Sequence, residues 1–345
     1  MAEHNNAAVF LCYKQEHFVE EALRSVLAQK EPLHVWVLDD ASPDGTWRVI
    51  LACLESQQSQ SAAHTIEKFP AATNGGLARN WNRVIPHLRE QWIHVFEGDD
   101  ISMVERVASA DRFAKAHPAM AVFSSRVLQR SATAVSEEPA SGSGGVFDAD
   151  TVLARGFPEL PGCSLVLRRD IFTVFGRLNW RLLTVDYVLI RRGFMLGDVG
   201  LLEEPLVVYR KHEANVSRML VVRLDSMRAF QDSMLVLQRH TLGSLHETRK
   251  LWRFARRNCA ADSARSRIAW RIYQEARAHA LLGLACTRRN RLALFHAALS
   301  NLLNNRERRL SKWALALALW SGSWSSWQTA KSSLRAVLRK PVEPY

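Results

Sequence analysis

Along the first 225 residues, short apolar runs alternate with amphipathic stretches. Runs of strand length occur at Ala8 to Tyr13, Leu33 to Asp39, Thr65 to Phe69, Trp92 to Glu97 and Met120 to Leu128. Between them, at Val19 to Gln29, Thr46 to Glu55, Leu77 to Leu88 and Met103 to Lys115, apolar residues recur every three or four positions, the spacing that turns one helix face toward a sheet. Turn residues separate these elements at Ala41-Ser42-Pro43-Asp44-Gly45 and at Asn74-Gly75-Gly76. The alternation predicts an α/β sheet of βαβ units, which holds its ligands at the carboxyl ends of its strands. Asp39, Asp40, Asp99 and Asp100 all fall at such ends. Residues 131–147, rich in Ser, Ala and Gly, predict a mobile loop, either a flap over substrate or an ordinary connection.

From about residue 226 the strand signals stop, and Arg, Ala, Leu and Trp recur at helical spacing. The pattern therefore predicts a catalytic α/β domain over 1–225 and a helical region over 226–345. Six of the chain's eleven Trp (252, 270, 313, 320, 324 and 327) lie in the second region. Trp beside Arg on an amphipathic helix suits a membrane interface, and it equally suits helices packed on the catalytic domain or in a homo-oligomer.

Composition narrows these readings. With 48% hydrophobic and 23% charged residues the chain has the make-up of a soluble globular protein. No stretch reaches the roughly 18 uninterrupted apolar residues of a spanning helix; the nearest, Trp313 to Trp327, is broken by Ser-Gly-Ser and Ser-Ser. The N-terminus has no leader pattern, since Ala8 to Tyr13 already reads as a strand. Cys12, Cys53, Cys163, Cys259 and Cys286 are scattered and odd in number, which argues against both a disulfide framework and a zinc site and predicts a cytoplasmic protein. The net charge of +12 is uneven: residues 226–345 hold 22 Lys and Arg against 6 Asp and Glu, leaving 24 against 28 for residues 1–225. Such a basic block attracts polyanions, either an anionic membrane surface or nucleic acid.

The chemistry concentrates at Val95-Phe96-Glu97-Gly98-Asp99-Asp100, where a hydrophobic strand ends in three carboxylates. Carboxylates this close repel one another, and a hard divalent cation, Mg²⁺ or Mn²⁺, bound to a substrate phosphate would resolve the repulsion. A polar turn capping the next helix, with Asp100 or Ser102 as the cap, accounts for the same residues without a metal.

Seven segments in sequence widen the comparison: FLCYKQEHFVEEALRSVLAQ, VWVLDDASPDGT, NGGLARNWN, VFEGDD, GCSLVLRRDIF, VDYVLIRRG and EEPLVVYRKHEANVS. In order and spacing they resemble family 2 glycosyltransferases of the GT-A fold. The resemblance implies a Rossmann-like, mixed but mainly parallel sheet flanked by helices, followed here by the basic helical region. It implies inverting transfer from a nucleotide-sugar, with a divalent metal at a DXD-type motif. Glu97, Asp99 and Asp100 match that motif; Asp99 and Asp100 are the expected metal pair, while strand alternation allows Glu97 to point away.

Asp39 and Asp40 match the family's first acidic pair, whose carboxylate accepts the N3–H of uracil or thymine. An Asx-turn before Pro43 is the bland account of Asp40. The backbone about Tyr13 is expected at the edge of the same base, and Asn74, Gly75, Gly76 and Arg79 beneath base and diphosphate; Arg79 is otherwise a surface arginine. Asp186 matches the general base of the family's Glu-Asp motif, although Thr184-Val185 precedes it here where a Glu is usual, and a helix cap is the alternative. In Tyr209-Arg210-Lys211-His212 the resemblance sets Arg210 against the diphosphate and His212 in the metal sphere, with a packing histidine as the alternative.

The Gln-x-x-Arg-Trp motif of the processive synthases is absent, so transfer of one sugar is expected. The expected acceptor is a glycan hydroxyl on a lipid-linked or surface-polysaccharide intermediate, met by a peripheral protein at the inner face of the cell membrane, with nucleic acid disfavoured. Two rivals carry different signatures. A nucleotidyltransferase would open with a glycine-rich basic loop, and Cys12 to His17 contains no glycine. A non-catalytic basic module for lipid or nucleic acid would bind in a salt-dependent way without turnover.

Overall fold

The structure, a computed structural model, describes residues 4–57, 63–130, 135–136, 144–212 and 227–288. The chain divides into two compact units, Met1–Ala214 and Asn215–Tyr345.

The first unit is built on β1 (Asn6–Cys12), every residue of which is buried. Its neighbours are β2 (His34–Asp39) and β4 (Trp92–Glu97), both parallel to it. The register sets Cys12 level with Asp39 and Leu11 level with Glu97, so the acidic ends of β2 and β4 flank the end of β1. β3 (Thr65–Lys68) extends the sheet beyond β2. On the other side β9 (Val166–Arg168) runs antiparallel between β4 and β6 (Met120–Arg130), so β6 again points the same way as β4. β10 (Asp198–Arg210) lies parallel to β6 and pairs antiparallel with β5 (Ile101–Ser102). Because Val208 faces Ile101, the last residues of β10 are delivered beside Asp99 and Asp100. β7 (Val135–Ser136) pairs with β6 and β8 (Gly145–Phe147) with β10.

Helices cover the sheet. α1 (Val19–Leu27) and α2 (Thr46–Ser56) bury Ala22, Leu23, Val26, Ile50 and Cys53 against β1 and β2. α4 (Arg106–Ala116) packs Ala110 and Ala114 with Trp92, Met120 and Phe123. The remaining helices are α3 (Leu77–Val84), α5 (Ala149–Arg155), α6 (Asp170–Phe175) and α7 (Asp186–Leu196). This mixed sheet flanked by helices is the GT-A fold, as the segment order implied.

Local differences from the sequence pattern have local causes. The helix expected over Leu77 to Leu88 stops at Val84 and tightens into a 3₁₀ turn at Ile85–His87, where Pro86 cannot continue the hydrogen-bond ladder. The helix expected from Met103 begins at Arg106, since Ile101 and Ser102 pair with β10. Within the expected loop 131–147, Val135–Ser136 and Gly145–Phe147 are strands; the rest, apart from Gly144, lies outside the described residues.

In the second unit α8 (Met227–Asn258) and α9 (Ala264–Arg288) are long helices joined by a short turn. Leu251, Ala255, Ile268, Ala269 and Ile272 are buried. The Trp313 to Trp327 stretch lies outside the described residues. Among the described residues no helix is long and apolar enough to cross a membrane.

Candidate active site

The tip of β4 is a concentration of buried negative charge. Glu97, Asp99 and Asp100 each offer an oxygen, and these atoms lie within 4.8 Å of one another. Asp99 and Asp100 are only 6% and 5% exposed, a costly place for two carboxylates. Burial, and then the neighbouring Asp99, Asp100 and Asp186 charges, holds the Glu97 carboxyl well above its ordinary range. Burial and Asp99 push Asp100 up to about 7. Asp100 Oδ2 meets no nitrogen or oxygen donor among the described residues, with the Cys163 thiol as its neighbour. A divalent cation would supply the missing positive charge, and the all-oxygen donor set of Glu97, Asp99 and Asp100 fits one. Glu97, which strand alternation allowed to face away, belongs to the cluster.

One cation sits beneath this tip. Arg106, fully buried, donates to the Val95 carbonyl (2.6 Å) and Ser102 Oγ (2.9 Å), and its guanidinium lies 4.2 Å from the Phe96 ring centroid. Burial lowers its pKa to about 10, yet it stays charged and opposes the acids above. No sequence signal distinguished it from the other polar positions of an amphipathic helix.

The end of β2 organises the adjoining loops. Asp39 accepts the Ser42 hydroxyl and the Ser42 N–H (3.0 Å), so the local side-chain bond into this turn is made by Asp39, while the Asx-turn itself is made by Asp44 to Thr46 N–H (3.1 Å) rather than by Asp40. Asp40 reaches across to accept Gly75 N–H (3.0 Å), Gly76 N–H (2.7 Å) and Asn74 Nδ2–H (3.1 Å). The segment expected beneath base and diphosphate is thus pinned to the acidic pair. Tyr13 is 40% exposed at the end of β1, and the loop after it is tied down by Lys14 N–H to Ser42 Oγ (3.0 Å) and Gln15 N–H to Thr46 Oγ1 (2.8 Å). Lys14 and Ala41 both hold φ at +56°, two non-glycine residues in the left-handed region at the same rim.

Asp186 is the first residue of α7 and is partly open to solvent; Val185 takes the cap position and no side-chain capping bond is made. Burial raises its carboxyl to about 6, and its charge helps to raise Glu97, so the two carboxyls lie within electrostatic reach of each other. Gly162, in the 3₁₀ turn Gly162–Ser164 before β9, admits it: a Cβ at 162 would lie 2.6 Å from both Cγ and Oδ2 of Asp186. The sequence contained this glycine without marking it, because the two positions meet only in the fold. Arg79 stacks on Trp180, 4.8 Å from the ring centroid, in the loop leading to α7.

The end of β10 closes the site. Arg210 donates its backbone N–H to Asp100 Oδ1 (2.9 Å), while its guanidinium reaches the Asp99 carbonyl, Glu21 (2.7 Å) and the Phe18 carbonyl (2.9 Å). This cation, expected against a diphosphate, braces the acidic tip to α1. His212 Nε2 lies 2.9 Å from Asp99 Oδ2 and its ring stacks on Phe18, so it orients an acidic residue of the cluster. Residues 213–217 of the same motif lie outside the described residues.

Comparison with known proteins bears on the family and the fold. A family model described as glycosyl transferase family 2 matches residues 8–175. Uncharacterized proteins of Mycobacterium tuberculosis and Mycobacterium bovis are 28% identical over 213 residues, a match spanning 59% of this chain and 58% of theirs, so it reaches little more than half the length of those relatives. The crystal structure of Staphylococcus aureus TarS 1-349 in complex with UDP-GlcNAc superposes with a TM-score of 0.61 at 15% identity, covering 96% of this chain and 92% of that one. The mannosyltransferase PcManGT of Pyrobaculum calidifontis, in complex with GDP-Man and Mn²⁺, gives a TM-score of 0.50 at 16% identity, covering 98% and 87%.

Proposed function

From the premise that this chain, through residues 8–175, belongs to glycosyl transferase family 2, we propose that it moves one sugar from a nucleoside diphosphate donor to a hydroxyl of a lipid-linked or surface-polysaccharide acceptor, with inversion. The carrying observation is the cluster of Glu97, Asp99 and Asp100 at the end of β4, with the Asp186 carboxyl, raised to about 6, close enough for its charge to act on Glu97. A carboxylate on the far side of the anomeric carbon from the leaving group takes the acceptor proton as the oxygen attacks. A carboxyl near 6 is mostly ionised at neutral pH and still basic enough to do so.

Glu97, Asp99 and Asp100 hold Mg²⁺ or Mn²⁺ in this reading, with His212 steadying Asp99 or joining the sphere. Such an ion neutralises charge developing on the departing diphosphate. The Mn²⁺ in the mannosyltransferase complex supports a divalent ion here. Asp39, with lone pairs left after Ser42 is satisfied, accepts the N3–H of uracil or thymine, and Tyr13 borders the base. Asp40 holds Asn74, Gly75 and Gly76 under the donor, and Arg79 and Arg210 add positive charge at its rim. Residues 1–225 form the catalytic domain, and the basic region beyond brings the protein to the inner face of a membrane. Neither rival, nucleotidyltransferase or non-catalytic module, draws support from the family match.

A thermal-shift panel of UDP-, dTDP- and GDP-sugars with and without Mn²⁺ tests the donor. Ligand at 100 times Kd stabilises by ~2.7 kcal/mol, so a UDP- or dTDP-sugar should raise Tm with metal present. A response to GDP-sugars alone would overturn the base assignment, and no response to any donor would overturn the reading.

A further inference from the structure

The α8 and α9 pair carries a surface that catalysis does not use. Trp252 of α8 stacks on Tyr273 of α9 with ring centroids 5.1 Å apart and planes within 3°. Trp270 leans on both, at 5.2 Å and 5.9 Å, and stays 45% exposed. It is the one exposed large hydrophobic residue among the described residues of this unit. The Arg256 guanidinium lies over Trp252 at 5.2 Å.

Around the triad Arg249, Arg253, Arg256, Arg257, Arg267 and Arg277 are all exposed, and none of them pairs with a carboxylate among the described residues. Glu247 is buried and bonded to Lys250 (3.1 Å), which leaves Asp262 and Glu275 as the exposed acids among the described residues of the pair. Arg249, Trp252, Arg253 and Arg256 stand at i, i+3, i+4 and i+7 on α8, and Trp270, Tyr273 and Arg277 at i, i+3 and i+7 on α9, so each helix turns one aromatic and basic stripe outward. Leu251, Ala255, Ile268, Ile272 and Ala276 are buried instead.

We infer that this aromatic and basic face is where the chain docks on an anionic phospholipid surface. Indole and phenol rings with one polar edge settle at headgroup depth, and arginines meet lipid phosphates. Exposed indole distinguishes this face from a purely electrostatic nucleic-acid surface. The inference deepens the proposed function, resting on its lipid-linked acceptor, and it is read from vesicle binding with neither donor nor transfer, so the two fail separately.

The test is co-sedimentation of the full chain with vesicles of phosphatidylcholine alone or with phosphatidylglycerol, at low and high salt. The expected result is binding to the anionic vesicles only, weakened by salt. Arg253→Glu, Arg256→Glu and Arg257→Glu together should lower it at least tenfold, and Trp270→Ala several-fold. Every arm keeps residues 289–345, so a loss reports on the α8 and α9 face; an unchanged donor thermal shift shows that the catalytic unit is folded. Parent-like vesicle binding by the triple variant would overturn the inference. So would tighter retention on a DNA duplex than on vesicles, or a Trp270→Ala effect confined to oligomeric state.

Discussion

Asp186 affects chemistry and stability in opposite senses. Its folded-state carboxyl titrates near 6, above the ordinary value of 3.8, because burial disfavours the charge. A base must be unprotonated, so kcat/KM should rise with pH through about 6 and level off above it, checked by a pH-rate profile on saturating metal. For stability the folded state binds the proton more tightly than the unfolded chain. Asp186 therefore subtracts stability as pH climbs from about 4 to 6, by no more than ~3 kcal/mol, and by less because the side chain is partly open to solvent. Asp186→Asn should accordingly abolish transfer, keep the donor thermal shift and raise the metal-free Tm at pH 7; wild-type turnover would remove Asp186 from the mechanism. Gly162→Ala tests the same residue from outside it. A Cβ 2.6 Å from the carboxylate must displace it, and a misplacement of about 1 Å costs ~10²-fold in rate, so kcat should fall with donor affinity unchanged.

At the scale of elements, the loop before α3 is the most constrained piece of the site. Gly76 holds φ at +81° and its N–H is gripped by Asp40, so Gly76→Ala meets no atom within 4 Å yet is strained by its backbone alone. A cost of ~1–3 kcal/mol is expected, read as a lower urea midpoint at unchanged m-value together with weaker donor binding; an unchanged midpoint would mean that the loop relaxes freely. β1, β2 and β4 were legible in the sequence because strands buried on both faces read as plain apolar runs. β10 had no such signature: Glu203, Glu204 and Pro205 interrupt it, and its register against β6 shifts around them. The acidic tip was legible because its residues are neighbours in sequence. The His212 contact with Asp99, the Gly162 contact with Asp186 and the Arg106 brace join positions that only the sheet order brings together, so periodicity had nothing to register.

The whole molecule separates its charge, with the basic excess in residues 226–345 and the buried or half-buried carboxylates Glu97, Asp99, Asp100 and Asp186 about the tip of β4, where Arg106 and Arg210 are the buried cations among the described residues. Without a cation this edge opposes folding, and linkage gives the direction. Glu97 and Asp100 titrate higher folded than unfolded, Asp100 at about 7, so the folded state holds extra protons between pH 4 and 7 and metal-free stability falls as pH rises through that window. Asp100 alone accounts for ~4 kcal/mol at most. A bound divalent cation replaces those protons, so Mn²⁺ should raise Tm strongly at pH 7.5 and hardly at pH 5, where protons compete for the same oxygens. Asp99→Asn with Asp100→Asn removes two of the crowded charges. That variant should be more stable than the parent in EDTA at pH 7.5, should lose the Mn²⁺ increment and should show a flatter dependence of Tm on pH. Calorimetry of parent and variant across pH 5 to 8, with EDTA or Mn²⁺, separates these outcomes. An equal Mn²⁺ increment in both proteins would move the metal away from the tip of β4.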